Sequence, residues 1–486
     1  MIPSSDRFDQ STIAALLEVD PLVADYRAFF ALLDWSIVER WQAERSAYCG
    51  SHGHPLTAYL KAFLLRIKAG LRYSSQLRHF LLEHPLLIIE FGFQLELDPT
   101  APYGFDADKT LPCRYWLGEK LRQLDRGLLT DLLSATVAAL LEEIPGLGET
   151  VAFDVKHIYA WVKENNERVY VKDRYDKTKR LCGDPDCRLG VKKRSNQEPA
   201  AAGSTTQEEA CTAPGGHKEP PTAATEPRAP TKPVAKKDKP AAKKEKKEKK
   251  ELIWGYGTGV AAAFVPEYGD VVLAEDTQGF NENDITHFHP LYQQTVLALG
   301  FFPPYLTADA AFDAWHVHEV ACRHGGIAAI PLNQHGHPVY QRDTDGTPIC
   351  PVGLRMQPTY QFEHTRGYCA QRFRCPLLFP KKTGQTCEHE QFKQGKGPGC
   401  IKDVNWERGG QARVTLDRDG PLYHAIYTQR TSAERINSQA KELGIERPKV
   451  RNGCSVANLN TLTYLVINVR VLKDAKSTNR RLLQIT

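Results

Sequence analysis

The sequence predicts an α/β protein, with a mixed sheet flanked by helices, an all-helical region before it and a Cys-rich insertion within it. Three observations carry that expectation. Apolar residues recur at helical spacing up to about residue 145. Short apolar runs rich in β-branched and aromatic residues then alternate with helical stretches as far as Pro331. Residues 332–424 are rich in Cys, His, Gly and Pro and have little periodicity.

The elements follow in order. Leu56, Leu60, Phe63, Leu64, Ile67 and Leu71 predict one helix, with Lys61, Arg66, Lys68 and Arg72 decorating it. The break at Tyr73, Ser74 and Ser75 starts a second helix that ends before Pro85. A basic helix over 114–126 precedes an apolar one over 128–144. Residues 1–148 therefore read as a helix-turn-helix-like DNA-binding region, and the same pattern also fits a plain helical bundle. Strands are expected at 151–162, 253–264, 270–274, 305–309 and 326–331, and helices at 284–299 and 314–324. Residues 149–194 and 252–331 thus form two parts of one core. The stretch 195–251 between them has almost no large apolar residues and is expected to be a disordered insertion. Within 425–486, Leu459, Leu462, Leu465, Val466, Val469 and Leu472 predict a helix packed on the core.

Composition excludes several classes. The chain of 486 residues is 41% hydrophobic and 25% charged, ordinary for a globular protein. No run approaches the roughly 20 apolar residues of a membrane span, and the N-terminus lacks a signal-peptide layout, so a cytoplasmic protein is expected. Lys and Arg number 63 against 58 acids, a net +5. Residues 232–250 hold ten Lys and three acids, +7, which leaves −2 for the rest. Any nucleic-acid affinity must then come from local basic patches and from this run. The twelve cysteines of such a chain read as metal ligands or buried thiols, not as a disulfide framework.

Tyr427, Arg430, Glu434 and Lys441 stand at offsets of three, seven and fourteen residues. On one helix they share a face about 60° wide, with Arg435 beside it. A carboxylate among cations suits a metal ligand working on a phosphodiester, and a surface helix laced with ion pairs is the plain alternative. The spacing resembles the Tyr-Arg-Glu-Lys signature of the DDE insertion-sequence transposases, and residues 54–93 are similar to the N-terminal region of that family. The resemblance implies an RNase H-like core, whose order of elements matches the strands and helices above. It also implies that Asp154, Asp309 and Glu434 hold two divalent ions, Mg²⁺ or Mn²⁺, and that Tyr427, Arg430, Arg435 and Lys441 contact DNA. The implied partners are double-stranded DNA at element ends and target, with a dimer or higher assembly and a nucleoid-associated location. Val155 and Lys156 after the first aspartate, and Ala310, Ala311 and Phe312 after the second, depart from the family pattern. A silent DNA-binding regulator and a nuclease without strand transfer are the alternative functions. Asp154 also reads as a paired or strand-end aspartate. Asp309 also reads as a cap of the following helix, for which Asp313 is the better placed residue.

Cys350, Cys375, Cys387 and Cys400 are candidate zinc ligands, or else unligated thiols of an inserted subdomain. Arg366, Arg372, Arg374, Lys381 and Lys382, interleaved with Tyr368 and Phe373, are placed to touch DNA. Cys182 and Cys187 read as part of a turn. Asp270, Asp276 and Asp284 read as caps or turn formers, and His287, His289, His316 and His318 as surface or cap residues.

Overall fold

The computed structural model describes residues 10–46, 53–193, 250–333 and 341–485. It divides into two compact units, residues 1–190 with 253–486, and residues 191–252. In the second unit the described residues are two strand ends, 191–193 and 250–252. The expected insertion at 195–251 lies outside the described residues except for Lys250 and Glu251, which are strand.

In the first unit the chain opens with helices α1 (Gln10–Val19), α2 (Pro21–Phe30), α3 (Ser36–Ser46), α4 (Leu56–Lys68), α5 (Ser74–Glu83), α6 (Pro85–Phe91), α7 (Ala107–Thr110), α8 (Arg114–Gln123) and α9 (Arg126–Glu143). α4 is buried on most of its circumference, so its cations are used internally and do not simply decorate it. Arg66 is 2% exposed and donates to the Leu71 and Arg72 carbonyls at 3.2 and 2.6 Å. Burial lowers its pKa to about 10. Lys68 pairs with Asp25. These bonds close the turn after α4 by satisfying carbonyls that have no helical partner.

The sheet begins with β1 (Thr150–Tyr159), β2 (Arg188–Lys193), β3 (Lys250–Val265) and β4 (Gly269–Gly279). β2 was not expected, and β4 runs five residues beyond the expected end at Ala274. A 3-10 turn (Asp284–His287) leads into α10 (Phe288–Leu299), then come β5 (Tyr305–Ala308), α11 (Trp315–Arg323) and β6 (Ile327–Ala329). The sheet order is β2-β3-β1-β5-β6, with β4 also on β3. β1 is antiparallel to β3 and parallel to β5, and β5 is parallel to β6. One face packs with the N-terminal helices and the C-terminal part of the chain, and the other with α10 and α11. The small residues of β3 set that spacing. A Cβ at Gly259 would lie 2.9 Å from both His287 and Leu291, so only glycine lets the start of α10 sit this close.

The stretch read as irregular contains β7 (Gln357–His364), β8 (Tyr368–Arg374) and β9 (Ile401–Asn405), paired antiparallel in that order. Then follow α12 (Arg408–Thr415), α13 (Pro421–Tyr427), a 3-10 turn (Thr428–Arg430), α14 (Thr431–Glu442) and α15 (Gly453–Ile485). Among the described residues no helix is long and apolar enough to cross a membrane. The molecule is therefore mixed α/β, a mixed sheet flanked by helices after a helical N-terminal region.

Candidate active site

Asp154 and Asp309 are brought together by strand register. The last β1–β5 pair is Phe153 with Ala308, so each aspartate occupies the next position on neighbouring chains. Adjacent strands run about 4.8 Å apart, which sets the two carboxylates side by side where β5 ends. Asp309 caps the 3-10 turn Ala310–Phe312 by accepting from the Ala311 N–H at 2.9 Å. It does not cap α11. Nor does Asp313, which is buried and held by Arg413 at 2.8 and 2.6 Å, while Ala314 occupies the N-cap position.

α14 supplies the third carboxylate. It packs on β1 and β4, and the turn before it packs on β1 and β5. Asn437 Nδ2 donates to Asp154 Oδ2 at 2.8 Å, which ties the helix to the strand. Glu434 lies three residues earlier, on the same helix face. Burial pushes the Asp154 carboxyl up to about 7, and the charges of Asp309 and Glu434 add to the rise against hydrogen bonds from Val155 and Asn437. Asn437 is 7% exposed, and its Oδ1 has no hydrogen-bond partner.

The four signature residues do not share one helix. α13 ends at Tyr427, a 3-10 turn carries Arg430, and α14 begins at Thr431. Arg430 still donates to Glu434 at 2.6 Å and lies 5.6 Å from the Tyr427 ring. Lys441 is exposed and pairs with Glu446 at 3.5 Å. Arg435, expected on DNA, is tied to the end of the β3–β4 hairpin. It grips Asp270 through two bonds of 2.7 and 2.6 Å and covers the Phe264 ring at 4.6 Å. Asp270 is thus an ion-pair partner, not a turn former.

Other expectations are also corrected. Asp276 meets His287 Nδ1 at 2.8 Å, and His287 and His318 are buried at 1% and 2% exposure, so neither histidine is a surface residue. Arg372 is paired with Asp403 at 2.8 and 2.9 Å, and Phe373 is buried, which withdraws Phe373 from any DNA surface.

Two features were missed. Asp284 begins the turn before α10, packs toward Asp309, and is pushed up to about 6 by burial and then by the Asp309 charge. It is a fourth carboxylate whose only sequence signal was its place before a helix. The second is a basic groove made of two adjoining pockets that share Arg447 and Lys449, one reaching Lys441 and the other Arg451 and Trp161. Arg451 and Lys449 stand 4.9 and 5.7 Å from the Trp161 ring, and Arg447 stands 4.3 Å from that of Tyr159. Its signal was the alternation of Arg447, Lys449 and Arg451 just beyond the Glu434 helix. The Tyr159 N–H bonds the Glu446 carbonyl at 2.9 Å, which holds this segment against the end of β1.

Among the described residues no group of three or more His, Cys, Asp or Glu side chains stands as a ready ligand set for a metal ion. Asp154 faces like charges and Glu434 is held by Arg430, so a cation has to draw the carboxylates inward. The donor chemistry fits a hard divalent ion, since the neighbourhood offers carboxylate oxygens and one unpartnered amide oxygen. No protein-family model, curated protein or solved structure matches the chain.

Proposed function

We propose that the chain is a DDE transposase that cleaves DNA strands at the ends of a mobile element and joins them to target DNA. The observation that carries it is the meeting of Asp154, Asp309 and Glu434, from three distant segments, at one strand end around a buried carboxylate. The adjacency of β1 and β5, with α14 crossing β1, supports an RNase H-like core. Asp154, Asp309 and Glu434 would hold Mg²⁺ or Mn²⁺, which supply activation of the attacking oxygen and stabilisation of the leaving oxygen in an in-line displacement. Asn437 orients the Asp154 carboxylate. Arg430 neutralises Glu434 at rest and offers its guanidinium to a phosphate once Glu434 turns to the ions. Lys441 and the 447–451 segment bind the DNA backbone, with the Trp161 ring available to stack on a base.

The test is a cleavage and joining assay with Mg²⁺ or Mn²⁺ on DNA carrying the sequences that flank the gene. Wild type nicks and joins at specific ends, while Asp154→Asn, Asp309→Asn and Glu434→Gln each lose at least about 100-fold with folding retained. Tight end binding without cleavage under either ion overturns the proposal in favour of a silent DNA-binding regulator. End-specific nicking without joining favours a nuclease.

A further inference from the structure

We propose that Cys350, Cys375, Cys387 and Cys400 bind one structural Zn²⁺ ion that staples the β7–β9 subdomain. The inference does not depend on the transposase reading.

The four thiols come from separate segments and gather toward one end of the small sheet, near one another without yet forming a ready ligand set. The last β8–β9 pair is Arg374 with Ile401, so Cys375 and Cys400 occupy the next register position, facing each other where the strands end. Gly399 adopts φ +68°, and a Cβ there would lie 2.6 Å from Cys375 Cβ and 3.2 Å from its Sγ. The chain thus brings the backbone before Cys400 against the Cys375 sulfur, an approach that only glycine allows. Cys350, Cys375 and Cys400 are 5, 2 and 5% exposed within one cluster, and Cys387 packs against it. Cys400 lies within electrostatic reach of the other three. All four are free thiols.

Energetics point the same way. The buried apolar cluster here has eight members, three of them cysteines, alongside Met356, Phe373, Leu377, Phe392 and Val404. So small a core does not stabilise a three-stranded sheet and its long loop without a staple. Four thiolates are a closed tetrahedral set for Zn²⁺, and the apolar wall leaves no open position for a reactive water. As Zn²⁺ loads, the sulfurs turn to a common point and four S–H protons pass to solvent.

The experiment is metal analysis of the full-length purified protein, washed with a mild chelator, alongside Cys375→Ser, Cys387→Ser and Asp154→Asn. One zinc per chain is expected for wild type and Asp154→Asn, and under about a third of that for either serine variant. Cobalt exchanged into folded wild type should show sulfur-to-metal charge-transfer absorption, a readout that survives if a variant fails to fold. Wild type with less than about a tenth of a zinc per chain, or zinc that Cys387→Ser leaves in place in a folded protein, overturns the proposal. A disulfide between any two of the four, found by mass spectrometry of freshly purified protein, also overturns it.

Discussion

Asn437 does two things at once. Its amide N–H holds Asp154, and its carbonyl oxygen is buried with nothing to accept from. A buried unsatisfied oxygen costs on the order of 1–3 kcal/mol, so a site that later uses it recovers that cost. Asn437→Leu should keep the fold, weaken end cleavage about 10- to 100-fold and raise the Mg²⁺ concentration needed. A cleavage titration against Mg²⁺ checks this, and an unchanged midpoint would make Asn437 a packing residue only. Asp313 shows the same economy in a structural role. Burial alone would raise its pKa, but bonds from His318, Arg413 and the Asn333 N–H outweigh it and leave the carboxyl below its ordinary value. The unfolded chain therefore takes the proton first, and the stabilisation is present above about pH 4 and lost as pH falls through the lower folded value. Burial lowers the His318 pKa too, so acidification below about pH 6.5 also favours the unfolded chain. Arg413→Met leaves Asp313 charged and without its cation, with only His318 and the Asn333 N–H beside it, at about 3–5 kcal/mol near neutral pH. Melts at pH 7.5 and 4.5 should show that penalty shrinking in acid, where Asp313 can take a proton. An equal penalty at both pH values would remove the charge argument.

Elements were legible where a period repeats and illegible where a remote partner decides. β1, β5, α10 and α11 fall within a few residues of the expected segments, because burial on the sheet faces writes apolar runs into them. The end of β4 was not readable, since Glu275, Asp276, Thr277 and Gln278 look like loop. Their polar groups are answered from far away, Glu275 by Arg126 at 2.9 Å and Thr461 at 2.6 Å. The Arg435–Asp270 pair was unreadable for the same reason, its partners lying 165 residues apart. Asp154 and Glu434 stood out as candidates because a carboxylate inside an apolar strand, and one spaced among cations, look wrong for plain packing. Asp284 has no such contrast. Val272 shows how far tertiary context reaches. The β3–β4 register shifts between Ala261 and Ala262, passing over Leu273, and Val272 pairs with Ala262. Asn468 of α15 meets the Val272 backbone, donating to its carbonyl at 2.8 Å and accepting from its N–H at 2.9 Å. Asn468→Leu should cost roughly 2–4 kcal/mol, since two buried backbone groups lose their partners. Urea unfolding measures this, and a loss under about 0.5 kcal/mol would mean that the Val272 backbone groups find other partners without Asn468.

At the scale of the whole molecule, charge decides how DNA would be held under the proposed function. Apart from residues 232–250 the chain sums to −2, so it has no uniform positive field to draw DNA in. Two distinct sources remain, the Lys-rich run and the groove of Lys441, Arg447, Lys449 and Arg451 beside Trp161. They should separate by salt. Each phosphate neutralised steepens the fall of log affinity against log salt by about 0.9. Replacing Arg447, Lys449 and Arg451 together by Ala should flatten that slope by about 2–3 and abolish the preference for element ends. Deleting residues 195–249 should flatten it at least as much yet leave that preference intact, because a run of lysines reads charge and not sequence. Anisotropy titrations on end and random duplexes between 50 and 200 mM salt distinguish the two. If the triple variant keeps both slope and preference, the groove does not face DNA. End recognition must then lie with the N-terminal helices, where Arg66 and Lys68 are already spent on the fold.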